Sequence, residues 1–332
     1  MIFYLICSIF FNFLFLIFFK KIETAINLYD FSNNERKIHQ GKIACFGGLF
    51  IYFNLILISL YGLLSQGEDF FPKEQFFRTR DFFTFFGVSF FIMLLGIYDD
   101  KYNLTPYKKL LFTFFIFLIA ILVDDSLIIK YLEIPTIKQG IFVYDFSILF
   151  TIFCFLLFSN AFNMFDGVNT QSVIYSITLL SYLIFKNILP FICLFLIVSL
   201  IFFLILNFQN RIFLGKNGTF LLSFILSILI IKGYNGQRDI WADEILLLML
   251  IPGLELIRLF VTRIASGKSA FEGDKNHIHH ILISKFGLLK SQVVIHSIII
   301  FPILIDIFLI RTPYALLLGI FLYLGLIISI KK

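Results

Sequence analysis

The chain has 332 residues, 60% of them hydrophobic and only 14% charged, with a formal net charge of +6 and a mean hydropathy of +0.96. So little charge cannot cover the surface of a soluble domain, which excludes that class and predicts a polytopic membrane protein. The positive balance fits basic loops on one membrane face, anionic lipid or an anionic substrate, and gives no reason to expect nucleic acid.

A transmembrane span needs roughly 20 apolar residues. Eleven stretches approach that requirement: 2–19, 43–64, 82–97, 110–123, 142–159, 171–185, 188–206, 218–231, 242–260, 291–309 and 313–330. The expected fold is an all-α integral membrane bundle of about 11 (10–11) transmembrane helices, forming one polytopic domain over residues 1–332. The first stretch lacks a basic segment before it and is followed by Lys20-Lys21, so it reads as a retained span rather than a cleaved signal. The stretch at 110–123 is expected to extend to Ile129. Forty-eight phenylalanines read as lipid-facing and packing residues, and Cys7, Cys45, Cys154 and Cys193 as buried thiols without metal-like spacing.

Counting Lys and Arg by loop gives 17 on the face formed by the loops after odd-numbered spans and 9 on the other. The richer face is expected to be cytoplasmic, with the N-terminus outside and the C-terminus in the cytoplasm. Its loops receive every polar cluster of note. The outer loops carry acids, including Asp124-Asp125 and Asp243-Glu244, and read as solvated connections.

The first cluster, Arg36-Lys37-Ile38-His39-Gln40-Gly41 with Gly47-Gly48, sets fixed positive charge beside flexible backbone. It suits anion capture, and equally a purely topogenic role. Asp99-Asp100 follow the third apolar stretch; two adjacent carboxylates repel and favour a nearby cation, although acids opening a loop are also ordinary. Ser159 to Gly167 place Asn160, Asn163 and Asp166 between two apolar runs, where polar groups are costly unless paired or wetted. Phe213-Leu214-Gly215-Lys216-Asn217-Gly218-Thr219 is a glycine-bracketed turn whose N–H groups could face an anion. His277-Ile278-His279-His280 holds three of the five histidines. His277 and His280 would share a helical face and His279 would point elsewhere. Metal ligation and hydrogen bonding to phosphate both suit them, and an imidazole can lend charge near neutral pH.

In this order the segments resemble the polyprenyl-phosphate N-acetylhexosamine-1-phosphate transferases, nearest to the O-antigen (lipopolysaccharide) and teichoic-acid initiators. Arg36 to Gly48 resembles the family's first cytoplasmic loop, with Ala44 where a proline is usual. Asp99-Asp100 matches its paired aspartates, Asn160 to Gly167 its most specific signature, and His277 to His280 its histidine motif. Two positions depart: Asn169 stands where a second aspartate is usual, and Lys216 where the family carries an aspartate taken as a magnesium ligand.

The resemblance implies an enzyme of the bacterial inner membrane with its active site on the cytoplasmic face. It would move N-acetylhexosamine 1-phosphate from a UDP-sugar to a polyprenyl (undecaprenyl) phosphate, releasing UMP. By the same resemblance Asp99, Asp100, Asp166 and His279 are catalytic, and Asp100 and Asp166 hold magnesium, with manganese possible. Asp99 would orient or deprotonate the acceptor. Arg36, Lys37, His39, Asn160, Asn163, Asn169, Phe213, Lys216, His277 and His280 would bind substrate, Phe213 by stacking on uracil. The expected partners are UDP-N-acetylhexosamine, polyprenyl phosphate and the bilayer, with a homodimer possible. The alternatives are a degenerate member that binds nucleotide sugar or lipid without turnover, and a non-enzymatic polytopic protein. A transporter would place acids near the midplane, where Glu255 and Asp306 are the candidates.

Overall fold

One helix, α8 (Gly215–Asn235), has every residue from Asn217 to Tyr234 buried. A helix that is apolar on all sides can be buried on all sides. The sequence permits this here because no charged residue lies between Lys216 and Lys232. The structure, a computed structural model, describes residues 2–31, 41–64, 79–135, 140–236, 239–267, 269, 276–309 and 311–331. Arg36, Lys37 and His39 lie outside the described residues.

Around α8 the chain lays out α1 (Ile2–Ile26), α2 (Gly47–Leu64), α3 (Thr79–Tyr102), α4 (Pro106–Val123), α5 (Ser147–Phe165), α6 (Gln171–Phe185) and α7 (Pro190–Phe208). After it come α9 (Ala242–Leu248), α10 (Leu250–Ala265), α11 (Ile278–Phe286), α12 (Leu288–Phe308) and α13 (Thr312–Lys331). The all-α expectation holds, apart from two short antiparallel ladders, β1 (Tyr29–Phe31) with β2 (Lys42–Ala44) and β3 (Tyr131–Leu132) with β4 (Ile141–Phe142).

Each of the eleven expected stretches falls on helix, but they are not eleven equal spans. Among the described residues, eight helices are long and apolar enough to cross a membrane, or nine if α9 and α10, bent by 68°, count as one. The apolar helix α6 is shorter, at 15 residues.

Helix packing in a membrane depends on close approach and interhelical hydrogen bonds, since lipid is as apolar as leucine. Both operate here. A Cβ on Gly96 of α3 would fall 2.3 Å from the Cα of Asn217, so α3 and α8 touch backbone to backbone. The buried amides of Asn12 and Asn54 bond reciprocally across α1 and α2 at 2.9 and 3.2 Å. On α5, the Ser159 hydroxyl accepts from that of Ser223 of α8 at 3.1 Å.

Antiparallel α3 and α8 are joined by polar groups at both ends. At one end Asp100 meets Lys216 and Asn217. At the other, buried Lys232 pairs with Asp124 at 2.7 Å and reaches Asp81 at 3.5 Å. That second cluster corrects three sequence expectations. Lys232 is not a loop charge but a buried one, 3% exposed. Helix α4 stops at Val123 rather than Ile129, because Asp124 turns the chain by accepting from Ser126 N and pairs with Lys232. The connections at this end are not simply solvated, since Asp81, Asp124, Asp243 and Glu244 are buried and Lys186 pairs with Glu244. Burial is tolerable where a charge finds a partner, as Asp81 and Asp124 do in Lys232 and Glu244 does in Lys186. The cysteines are all free, but only Cys45 and Cys193 are buried; Cys7 and Cys154 are half-buried.

Candidate active site

The first turn of α8 gathers the site. The opening N–H groups of a helix have no intrahelical acceptor and carry partial positive charge. Asp100, at the end of α3, supplies the acceptor: Oδ1 takes Lys216 N at 2.9 Å, and Oδ2 takes Asn217 N at 3.0 Å and Asn217 Nδ2 at 2.6 Å. Gly215 enters this turn at φ +72°, a left-handed conformation that glycine adopts without strain. A Cβ there would also meet Asn217, Cys45 and Asp100 at 3.0 Å or less.

Asn217 then locks the turn to the start of α2. Its Oδ1 accepts from Gly48 N at 2.6 Å, and its Nδ2 also donates to the Cys45 carbonyl at 2.9 Å. Gly47-Gly48 are therefore a packed helix start rather than flexible backbone. The segment before them runs beside residues 212–213: Ala44 bridges Ile212, and Phe213 N donates to Ala44 O at 2.7 Å. Thus the described end of the first loop meets the half-buried Phe213. The sequence motif assigns Asn217 no role, and the structure makes it the residue that fastens three segments together.

The side chain of Lys216 reaches across to α5, where Nζ donates to Asn163 Oδ1 at 2.9 Å. Three residues on, Asp166 ends α5 and accepts Lys216's electrostatic influence. Burial pushes the Asp166 carboxyl from its ordinary 3.8 to about 6, while the Lys216 charge opposes that rise. A raised carboxyl favours the folded state while protonated, so this contribution to stability is lost as pH rises from about 4 to about 6. Thermal unfolding in detergent should show that slope between about pH 4 and about pH 6, and Asp166→Asn should remove it.

Asn160, by contrast, is exposed and bonds back to Leu156 O of its own helix at 2.8 Å. Asn169 serves the loop: its amide meets that of Asn210, and its carbonyl accepts from Gln292 Nε2 at 3.4 Å. The next residue, Thr170, is held in a left-handed conformation by N–H donation to Asn207 Oδ1 at 2.6 Å.

Asp99 departs from its expected part. It is 1% exposed, its Oδ2 pairs with Lys109 Nζ at 2.7 Å, and its Oδ1 accepts from Leu104 N at 2.8 Å. A carboxylate so enclosed organises the α3–α4 connection and is not presented to an acceptor.

The histidines are also arranged differently. His277 is extended and precedes α11, so helical spacing does not relate it to His280. The three imidazoles cluster, with centroids 5.1 Å apart for His277–His279 and 4.5 Å for His279–His280. His279 points inward and is 2% exposed. A Cβ on Gly167 would fall 2.0 Å from its Nε2, so the histidine segment packs directly on the Asp166-Gly167 bend. Burial, then His277, His280 and Arg258, lower the His279 pKa well below its ordinary value. It is therefore neutral near pH 7 and lends no charge; His277 and His280 remain half-buried beside it.

Glu255 of α10 places this segment. Its buried carboxylate accepts Ile278 N, the first N–H of α11, at 2.8 Å, Arg258 Nη2 at 2.7 Å and Nε at 2.9 Å, and Tyr323 Oη at 2.6 Å. Arg258 in turn donates to Asn276 O at 2.5 Å. The sequence shows Glu255 as an acid inside a span and gives no link to the histidines. The signal for its local partner was Arg258 at i+3.

The metal expected from resemblance can be tested on these groups. Magnesium takes oxygen ligands in near-ideal octahedral geometry. Asp99 is committed to Lys109, and N–H donors fill three acceptor positions on Asp100. An ammonium, Lys216, acts on Asp166. Among the described residues no three of His, Cys, Asp and Glu converge to hold an ion. The pair Asp100 and Asp166 therefore does not fit a resident magnesium ion.

Residues 82–234 match the family model of glycosyl transferase family 4, a stretch running from α3 to the end of α8. A probable undecaprenyl-phosphate N-acetylglucosaminyl 1-phosphate transferase of Bacillus subtilis is 27% identical over 277 residues, covering 81% of this chain and 73% of the relative. The undecaprenyl-phosphate α-N-acetylglucosaminyl 1-phosphate transferase of Thermotoga maritima is 28% identical, over 80% of this chain and 76% of its own. That of Escherichia coli K12 is 24% identical, over 87% and 77%. With its signature, paired aspartates and histidine segment joined to one end of the bundle, the chain is similar to the undecaprenyl-phosphate N-acetylglucosaminyl 1-phosphate transferases.

Proposed function

We propose that this protein transfers an N-acetylhexosamine 1-phosphate from a UDP-sugar to undecaprenyl or a related polyprenyl phosphate, on the cytoplasmic face of a bacterial inner membrane. The observation that carries the reading is the linkage of separate sequence segments through one turn. Asp100 holds Lys216 and Asn217, Lys216 reaches Asn163, and the histidine segment closes on Gly167.

In the reaction a phosphate oxygen of the lipid attacks the β-phosphorus of the donor. A new P–O bond forms, the bond from that phosphorus to the bridging oxygen breaks, and UMP leaves with the electron pair. Negative charge spreads over the non-bridging oxygens, so the protein's part is positioning and electrostatic stabilisation. On this reading Lys216 faces the diphosphate, held by its backbone and by Asn163. His277 and His280 donate hydrogen bonds to phosphate oxygens. Phe213, at the rim of the turn, offers a face to the uracil, with Arg36, Lys37 and His39 of the first loop as further anion contacts. Asp99, Asn169 and His279 shape the loops. A dianionic acceptor needs no base, which suits the enclosure of Asp99.

The direct test supplies labelled UDP-N-acetylhexosamines and undecaprenyl phosphate to membranes holding the protein. The expected result is UMP and a lipid-soluble product from at least one donor. Binding of donor without either product would favour the non-catalytic reading. Orientation has its own test: in a background without the four native cysteines, cysteines at Asn103 and Ser266 should label only from the cytoplasm. Labelling of either from outside would remove the cytoplasmic placement.

A further inference from the structure

The lysines at the ends of the bundle differ in their partners. Lys109, Lys186 and Lys232 pair with Asp99, Glu244 and Asp124, at 2.7, 2.5 and 2.7 Å. Among the described residues, the Lys216 ammonium bonds instead to a neutral group, the Asn163 amide oxygen at 2.9 Å. The neutral amide orients the ammonium without cancelling its charge, which also acts on the Asp166 and Asp100 carboxyls. Asp100 grips the backbone N–H of Lys216, and Asn217 ties the next residue to Cys45 and Gly48, so the base of the side chain is fixed. Lys216 is half-buried, which keeps its head within reach of a ligand while weakening solvent screening. An ammonium is a compact point charge with several donors, suited to phosphate oxygens.

We propose that Lys216 is the fixed cation of this site: its ammonium binds non-bridging oxygens of the donor diphosphate where a resident divalent ion would otherwise sit. This rests on the donor reading above, and it agrees with the poor fit of Asp100 and Asp166 to magnesium. The positive charge belongs to the chain and is in place before the nucleotide arrives.

The test measures UDP binding to purified protein in detergent by calorimetry, with EDTA and with magnesium. Wild type should bind UDP in EDTA within a few-fold of its affinity in magnesium. Lys216→Gln, which can keep a hydrogen bond to Asn163 but carries no charge, should bind at least ~10-fold more weakly in EDTA, at unchanged melting temperature. Lys216→Arg should retain binding, and Lys216→Asp should bind only when magnesium is present. A wild type that binds UDP in magnesium but not in EDTA overturns the proposal and leaves the donor reading standing. Equal binding by wild type and Lys216→Gln in EDTA does the same. Failure of wild type to bind UDP under both conditions overturns both.

Discussion

Asp100→Ala is expected to lower turnover by ~10²–10³-fold, equivalent to ~3–4 kcal/mol of barrier, the range seen when a preorganised electrostatic group is lost. The reason lies in what the carboxylate holds. Three N–H groups of Lys216 and Asn217 converge on it, and alanine leaves all three without that acceptor. The turn would relax toward water or other partners, carrying Lys216 off its position. A shift of about 1 Å at a reacting centre costs on the order of 10²-fold. Asp100→Asn should be milder, because its amide oxygen can still accept from part of the turn. Turnover with a labelled UDP-sugar measures both, alongside thermal unfolding to separate misfolding from mispositioning. Near-native turnover in Asp100→Ala would mean that the start of α8 is not where the diphosphate binds.

Glu255→Leu should destabilise the protein by ~3–5 kcal/mol, the usual cost of removing one member of a buried ion pair. The loss would leave the Arg258 guanidinium without its carboxylate and deprive Tyr323 Oη and Ile278 N of their acceptor. Its functional consequence would appear at the histidines, since Ile278 N begins the helix that carries His279 and His280. With α11 unfastened, His277 and His280 should react faster with an imidazole-modifying reagent. Glu255→Gln keeps one acceptor oxygen and the side-chain shape, so it should fall between wild type and leucine in both measurements. A Glu255→Leu protein with wild-type melting and wild-type histidine reactivity would contradict the positioning role.

Burial of charge separates what could be anticipated from what could not. The sequence displayed Asp99-Asp100 as a pair, and their chemistry is the same on paper. Backbone direction at the end of α3 divides them: Asp99 turns to Lys109 and Leu104, whereas Asp100 turns to the first N–H groups of α8. No local rule distinguishes these outcomes, because each partner comes from another element. Likewise Lys232 and Asp124 read as loop charges until the turn after α4 is packed against the end of α8. Hydropathy counts a charge near a helix end as solvated unless a partner from elsewhere in the chain encloses it.

The sequence by itself determined the membrane class, the helical stretches, the order of the polar segments and the family resemblance. These follow from local composition and spacing: apolar length needs no partner to be recognised, and the Asn160-to-Gly167 signature is contiguous. Tertiary structure alone decided which polar residues share a site. It joined Lys216 to Asn163 and Asp100, seated His279 on Gly167, and assigned Glu255 to the histidine helix rather than to a transport path. Hydrogen bonds act over about 3 Å, while Asp100 and Lys216 are 116 residues apart along the chain. Only packing α3 against α8 through Gly96 brings that pair within reach.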